Sequence, residues 1–257
     1  MNEKPFDKLV AIVAKLRDPN GGCPWDLEQT HQSLKPYVIE EAYEVIDAID
    51  SDSESLKKEL GDLLLQVVLH AQVAKDAGTF NIDDIVEILC EKLIKRHPHV
   101  FGDNETGGKV EAKTTKKVLE NWEQIKQKEL KKDESILDGV PKGMPALLRA
   151  QRVGEKAARV GFEWRETADV KAKVLEEIQE FLESDTIETN KDEFGDILFA
   201  LTQLSRRLGL NSEDLLHTST NKFTRRFKAM EKIVAGKVSD HTLEELDKIW
   251  EQVKMEE

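Results

Sequence analysis

Glu40-Glu41-Ala42-Tyr43-Glu44 is answered 136 residues later by Glu176-Glu177-Ile178-Gln179-Glu180. Both read EExxE. Glu59-Leu60-Gly61-Asp62 recurs at an offset of 134 as Glu193-Phe194-Gly195-Asp196, and both ExGD quartets run into apolar stretches, Leu63-Leu64-Leu65 and Ile197-Leu198-Phe199. Further matches keep the same order. Asn81, Asp84, Lys92 and Arg96 pair with Asn211, Asp214, Lys222 and Arg226 at an offset of 130, and Trp122-Glu123-Gln124-Ile125-Lys126 returns as Trp250-Glu251-Gln252-Val253-Lys254 at 128. One EExxE pair is easily met by chance in a chain with 51 acidic residues, but a run of ordered matches is not. The chain is therefore two copies of one domain, with loops trimmed between retained elements.

Around these motifs the periodicity is helical. Leu56, Leu60, Leu63, Leu64, Val67, Val68 and Ala71 follow an i, i+3, i+4, i+7 stripe, as do Phe194, Ile197, Leu198, Leu201 and Leu204. No short stretch alternates as a strand would between turn signals. The expected fold class is all-α, a tandem duplication of helical-bundle domains. Ser51–Ser55 and Ser184–Asn190 are polar and read as loops, so each EExxE helix and its ExGD helix should form an antiparallel hairpin. Gly and Pro punctuate Asp138-Gly139-Val140-Pro141-Lys142-Gly143-Met144-Pro145, which sets the expected layout: a helical domain over 1–132, a linker over 133–145, and a second helical domain over 146–257.

Composition excludes several classes. Across 257 residues, 38 Lys and Arg against 51 Asp and Glu leave a formal charge of −13, a poor match to the phosphate backbone of extended nucleic acid. Small anionic substrates are compatible with it if metal ions mask the acidic sites. A hydrophobic fraction of 39% is enough to fill cores and excludes disorder as the main state. No apolar run approaches the ~20 residues of a membrane span, and Met1–Asp7 has no basic-then-apolar leader pattern, so a cytoplasmic setting is expected. Two cysteines, Cys23 and Cys90, without CxxC spacing make no disulfide framework and read as free, mostly buried thiols.

At 100° per residue, Glu40, Glu41 and Glu44 share one face of their helix. Glu59 and Asp62 lie three apart on the next, with Gly61 in a helix interior at a cost of about 1 kcal/mol, which a close helix approach would justify. Folding the hairpin brings up to five carboxylates towards each other, and their repulsion calls for a divalent cation. Oxygen-only ligation favours Mg²⁺, with Mn²⁺ as second choice, and Mg²⁺ draws its remaining ligands from water and phosphate. For a single motif a solvated acidic face is the better reading; the paired repetition tips the balance to metal binding. Lys222 and Arg226 share a helix face and can meet phosphate oxygens, although a basic stripe often only steadies a helix. Trp250 can stack on a nucleobase, against the plainer reading of a packing residue. His70, His97 and His99 have no counterpart in the other half and receive no role. Glu28-Gln29-Thr30-His31 raises a di-iron carboxylate bundle, but that needs a second Glu-x-x-His and the other half has none. P-loop, Rossmann and nucleophile-elbow signatures are absent.

Together with Cys23-Pro24-Trp25-Asp26, Gln29-Thr30-His31, Lys95-Arg96-His97-Pro98-His99-Val100-Phe101 and Ala157-Ala158-Arg159-Val160-Gly161-Phe162-Glu163-Trp164, these motifs resemble the MazG family of nucleoside triphosphate pyrophosphohydrolases over essentially the whole chain. The resemblance implies an all-α, two-domain homodimer that hydrolyses a nucleoside triphosphate to the monophosphate and pyrophosphate with Mg²⁺, with broad base specificity, in nucleotide-pool sanitation or control. Carried onto the second half, it makes Glu177, Glu180, Glu193 and Asp196 metal ligands and puts Glu176 near the nucleotide. It puts Lys173, Lys222, Arg225 and Arg226 at the phosphates and Trp250 against the nucleoside. The matching first-half set is Glu41, Glu44, Glu59 and Asp62 with Lys92 and Arg96, departing where Tyr37 stands for Lys173 and Lys95 for Arg225. The main catalytic site is therefore expected in the second half, and the first half is left open between catalysis, nucleotide binding and support of the fold and dimer. Glu176 is a candidate to take the proton of the attacking water, which spacing alone does not separate from a ligand role. The competing function is a non-catalytic nucleotide-binding or oligomeric scaffold of the same fold.

Overall fold

The computed structural model describes residues 4–102, 112–115, 117–119, 121, 122, 125, 134–235 and 237–256. All regular structure among them is helical. The chain divides into two compact units, Met1–Trp122 and Glu123–Glu257. The first holds α1 (Pro5–Leu16), α2 (Pro24–Glu28), α3 (Lys35–Ile49), α4 (Ser53–Asp76), α5 (Ile82–Arg96) and the single turn α6 (Pro98–Phe101). The second holds α7 (Ala146–Arg159), α8 (Thr167–Glu183), α9 (Ile187–Arg207), α10 (Ser212–Ile233), a 3₁₀ turn at Val238–Asp240 and α11 (Leu243–Met255). Of the expected linker, 133 lies outside the described residues, and 134–145 belong to the second unit. Val140 is buried, and Lys156 Nζ donates to Ile136 O at 2.7 Å.

In each unit the EExxE helix packs along the ExGD helix, α3 on α4 and α8 on α9. The connecting loops are shorter than composition suggests, because their polar residues act as caps and the following helix starts early. Asp52 accepts from the backbone N–H of Glu54 and Ser55 at 2.9 and 3.0 Å, so 53–55 already belong to α4. Thr186 caps α9 through the N–H of Thr189. The repeated asparagines have the same function: Asn81 forms a capping box with Asp84 on α5, and Asn211 caps α10 by accepting from the N–H of Glu213 and Asp214. Their recurrence preserves helix starts rather than chemistry.

The first unit closes around Val13 of α1, Leu34, and Val68, Leu69 and Val73 of α4, with Leu9, Val10, Leu65 and Ile82 against them. Each such side chain taken from water contributes roughly 1.5–3 kcal/mol. Arg17, at the end of α1, pins this core to the Cys23–Gln29 segment. Its Nε pairs with Asp76 Oδ2 at 2.7 Å, and its Nη1 donates to the carbonyls of Asp26 and Gln29. Gln29 in turn donates to Trp25 O and accepts from Ser33. This segment of the family motif therefore serves as scaffold.

The second unit uses a polar spine instead. Gln203 of α9, 1% exposed, donates to Ala150 O of α7 at 3.0 Å and accepts from Arg206 Nε at 2.9 Å, while Arg206 pairs with Glu163 at 2.7 Å. Gly154 is buried against this carboxamide, where any Cβ would collide with it. The close helix approach expected at Gly61 is not found: an added methyl there, as at Gly195, meets nothing within 4 Å, and the tightly packed helical glycine is Gly154. Gly61 and Gly195 both open outward beside their acidic residues.

The apolar stripes also divide. Val68, Leu69 and Ala71 are buried, but Leu60, Leu64 and Val67 of α4 and Phe194, Leu198 and Leu201 of α9 are exposed. Leu175 and Leu182 of α8 are more exposed still, at 67% and 69%. Cys23 is half-buried and Cys90 exposed, which corrects the expectation of mostly buried thiols; α5, which carries Cys90, buries none of its residues. No helix among the described residues is long and apolar enough to cross a membrane. The glycines make a paired test. Gly154→Ala should lower stability by about 1–3 kcal/mol through overpacking, whereas Gly195→Ala should raise it by up to about 1 kcal/mol through helix propensity, both read by thermal denaturation.

Candidate metal centres

Each hairpin gathers three carboxylates. Glu41 and Glu44 of α3 meet Glu59 of α4, and Glu177 and Glu180 of α8 meet Glu193 of α9, with one oxygen from each residue inside 4.8 Å of the others. The cause is helical geometry: positions three apart share a face, and the capped turn returns the next helix antiparallel with its first glutamate towards them. These are the sets expected at both sites, less one member each. Asp62 and Asp196 fall outside the converging groups; Asp62 is half-buried, with Lys58 Nζ at 3.8 Å, and Asp196 is exposed. Among the described residues the converging sets are all-carboxylate, so Glu28 and His31 form no mixed His–carboxylate centre.

The surroundings show the electrostatic strain of three anions in one place. Desolvation first, then the Glu59 and Glu41 carboxylates, push Glu44 above the usual carboxylate range. Glu180 is also raised, by desolvation and by Glu177, Glu193 and Glu176, with Lys173 opposing. Each half offsets part of this with one lysine, taken from opposite helices. In the second, Lys173 of α8 reaches Glu176 at 2.8 Å and buried Glu177 at 2.7 Å, and these hydrogen bonds push its ammonium well above its ordinary value. In the first, Lys58 of α4 pairs with Glu59 at 2.9 Å and is raised by that hydrogen bond. Tyr37 occupies the position of Lys173, and Asp192 that of Lys58.

A cation fits the remaining donors. Glu41 Oε2 and Glu59 Oε2 are buried with no hydrogen-bond partner, an arrangement that costs free energy unless a positive ligand completes it. Both atoms are carboxylate oxygens, the donor type that hard divalent ions prefer.

The other expected residues lie on the later helices. Lys222, Arg225 and Arg226 sit on α10, the first two exposed and the third half-buried. Trp250, half-buried on α11, has its ring 5.1 Å from that of Phe223 on α10, so it packs the two helices together. Trp122 leans in the same way on His97, at 4.9 Å and edge-on. Lys92 is exposed and Arg96 half-buried on α5. His97 Nδ1 bonds Leu93 O at 2.6 Å at the end of α5, a structural use. Sequence reasoning passed over Gln66, His31 and His70. The available signal was that Gln66 and His70 continue the stripe of Glu59 yet have Ala200 and Leu204 as counterparts.

Charge relief gives a direct test. Glu180→Gln should raise the melting temperature of the metal-free protein and abolish the further rise on adding MgCl₂, both followed by scanning fluorimetry.

Comparison with known proteins adds a family. The model of the MazG nucleotide pyrophosphohydrolase domain matches residues 29–101, which contain Glu41, Glu44, Glu59 and Asp62. A nucleoside triphosphate pyrophosphohydrolase of Escherichia coli strain K12 is 44% identical, covering 98% of both chains. A nucleoside triphosphate pyrophosphohydrolase/pyrophosphatase MazG of Thermotoga maritima is 44% identical over 97% of this chain and 95% of its own. An uncharacterised protein of Bacillus subtilis, YabN, is 45% identical over 97% of this chain but only 51% of its own length.

Proposed function

We propose, from the premise that this chain belongs to the MazG family of nucleoside triphosphate pyrophosphohydrolases, that it uses its second-half carboxylates as the main catalytic centre. The chain is a hydrolase of nucleoside triphosphates, and the scaffold alternative gives way to relatives of full-length similarity that are named as enzymes. It is metal-dependent, in keeping with its acidic clusters. The observation that carries the reading is the convergence of three carboxylates within 4.8 Å at each hairpin.

In this reading Glu177, Glu180 and Glu193, joined by Asp196, hold Mg²⁺, with Mn²⁺ as a substitute. Bound Mg²⁺ supplies charge neutralisation on the phosphates and a polarised, oriented water. Lys173, Lys222, Arg225 and Arg226 hold the phosphate oxygens and offset their charge. Glu176 lies beside Lys173, exposed, where it can accept the proton of the attacking water. Trp250 packs against the nucleoside, and since any base offers a π-face, base selectivity at this site is broad. Attack at the α-phosphorus releases monophosphate and pyrophosphate. Removal of unwanted triphosphates from the cytoplasmic nucleotide pool is the role that this chemistry serves.

The many exposed large apolar side chains of α4, α8 and α9 support assembly as a homodimer, because burying such side chains against a second chain removes them from water. Light scattering should give twice 29.2 kDa, and Leu198→Asp should shift the protein towards the monomer.

Mixed triphosphates incubated with MgCl₂ should yield monophosphate and pyrophosphate; diphosphate and orthophosphate would overturn the assigned bond. Glu193→Gln should lower kcat on the order of 100-fold or more, as expected for loss of a metal ligand. Its loss should exceed that of Glu59→Gln, and equal losses would remove the second half's priority.

A further inference from the structure

His31 and His70 meet inside the first half. Their rings lie within 4° of parallel, the ring centres are 5.1 Å apart, and the two Nδ1 atoms are 2.8 Å apart. Two imidazoles combine those distances only when both Nδ1 atoms lie on the line joining the centres. Each ring contains that line and the planes are parallel, so the rings lie edge to edge in one plane. A straight N–H···N bond joins them head-on.

This bond spans 39 positions of the chain. His31 lies in the turn ahead of α3, three residues before the fully buried Leu34, and His70 is on α4. Ser33 of the same turn bonds Gln29, which is held by Arg17 at the end of α1. The turn is thus tied to α1 on one side and, through the histidines, to α4 on the other.

The surroundings offer the pair no counter-charge. With Gln66, it borders a cavity of about 420 Å³ whose other walls are Val38 of α3, Leu63 and Val67 of α4, Phe80, and Ile85 of α5. From α1, Leu9, Val10 and Val13 face the core. The charged groups of these elements are engaged or exposed. Asp84 accepts from Asn81 N, Asp76 pairs with Arg17, and Glu41 faces Gln66, while Glu28, Lys35, Glu40, Lys75, Asp83 and Glu87 are exposed. Burial first, then the His31 charge, hold His70 below its ordinary value of 6.5.

Head-on geometry limits the protons that the pair accepts. In the neutral pair one Nδ1 carries a proton and donates it to the bare Nδ1 of the other ring. A first added proton goes to the outer Nε2 of the donor ring, and the bond is kept and strengthened by charge. A second must go to the acceptor's Nδ1, which sets two N–H groups and two positive charges against each other. Exposed His31 takes the first charge at lower cost than half-buried His70. The second half has no such pair: Leu204 stands at the position of His70, and 160–170 contain no histidine.

We propose that His31 and His70 form a latch that clasps the entry of α3 to α4, survives one added proton and is released by the second, so that acid loosens the first-half hairpin and spares the second. It is a positioning device, because α3 carries Glu41 and Glu44 and its entry sets their register against Glu59. It needs neither metal nor nucleotide. With His70 depressed in the folded chain, the latch stabilises fully above 6.5, and that stabilisation is lost as pH falls below it towards the folded value.

Hydrogen exchange on the full-length chain tests this, with α8 as internal reference. Protection of the α3 amides relative to those of α8 should fall on the order of tenfold, the equivalent of one pKa unit, between about pH 7.5 and about pH 5. Glu44 and Glu180, both raised, act in matching places of the two hairpins and cancel in that ratio. His70→Leu, which installs the residue of the second half, should make the ratio independent of pH. His31→Gln, which keeps a donor, should hold the neutral-pH protection that His31→Leu loses. Nitrogen-15 NMR of the wild-type rings should show one bare and one protonated Nδ1 at neutral pH and two separate titration steps, and this stands whether or not a variant folds. A wild-type ratio that ignores pH, two protonated Nδ1 atoms at neutral pH, a single common titration step, an unchanged pH response in His70→Leu, or equal protection in the two His31 variants would each overturn the latch.

Discussion

Three carboxylates held within 4.8 Å of one another repel, and in both halves the fold brings them together through a pair of antiparallel helices rather than avoiding the cost. Much of the rest of each unit serves to keep that hairpin in register. Side-chain caps at Asp52 and Thr186 start the returning helix at a fixed point, and α1 or α7 packs behind it to prevent it from sliding. Charge relief is local and incomplete: one lysine neutralises only part of each cluster.

The two halves reach this balance by different routes. Lys173 rises from the EExxE helix, while Lys58 comes from the ExGD helix, so one ammonium approaches its cluster from the opposite side to the other. In the second half Lys173 satisfies the buried Glu177, and in the first two glutamate oxygens stay unpaired. Duplication has kept the anions and let their surroundings diverge. Beside the first cluster lies an aromatic cavity, whereas Ala200, Leu204 and their neighbours occupy the same positions in the second.

Conflict between packing and chemistry also explains the exposed apolar faces. A helix that presents carboxylates on one stripe and core residues on another has little surface left to be polar, so Leu64, Leu198 and Leu175 point outward. Gly61 and Gly195 likewise leave open space beside the acids, where a side chain would narrow the approach of a ligand.

The duplication, the helical class and the six converging glutamates were legible in the amino-acid order, because helical periodicity is local and a repeat can be read without coordinates. The spacing also proposed Asp62 and Asp196 as partners, but whether a carboxylate joins a cluster depends on how two helices rotate against each other, which local order does not specify. The same limit hid Gly154 as the tight contact, the exposed half of each apolar stripe and the cavity around His31 and Gln66. Those residues are separated by up to 54 positions in the chain, and only folding, by laying α4 against α3 and the turn before it, makes neighbours of them.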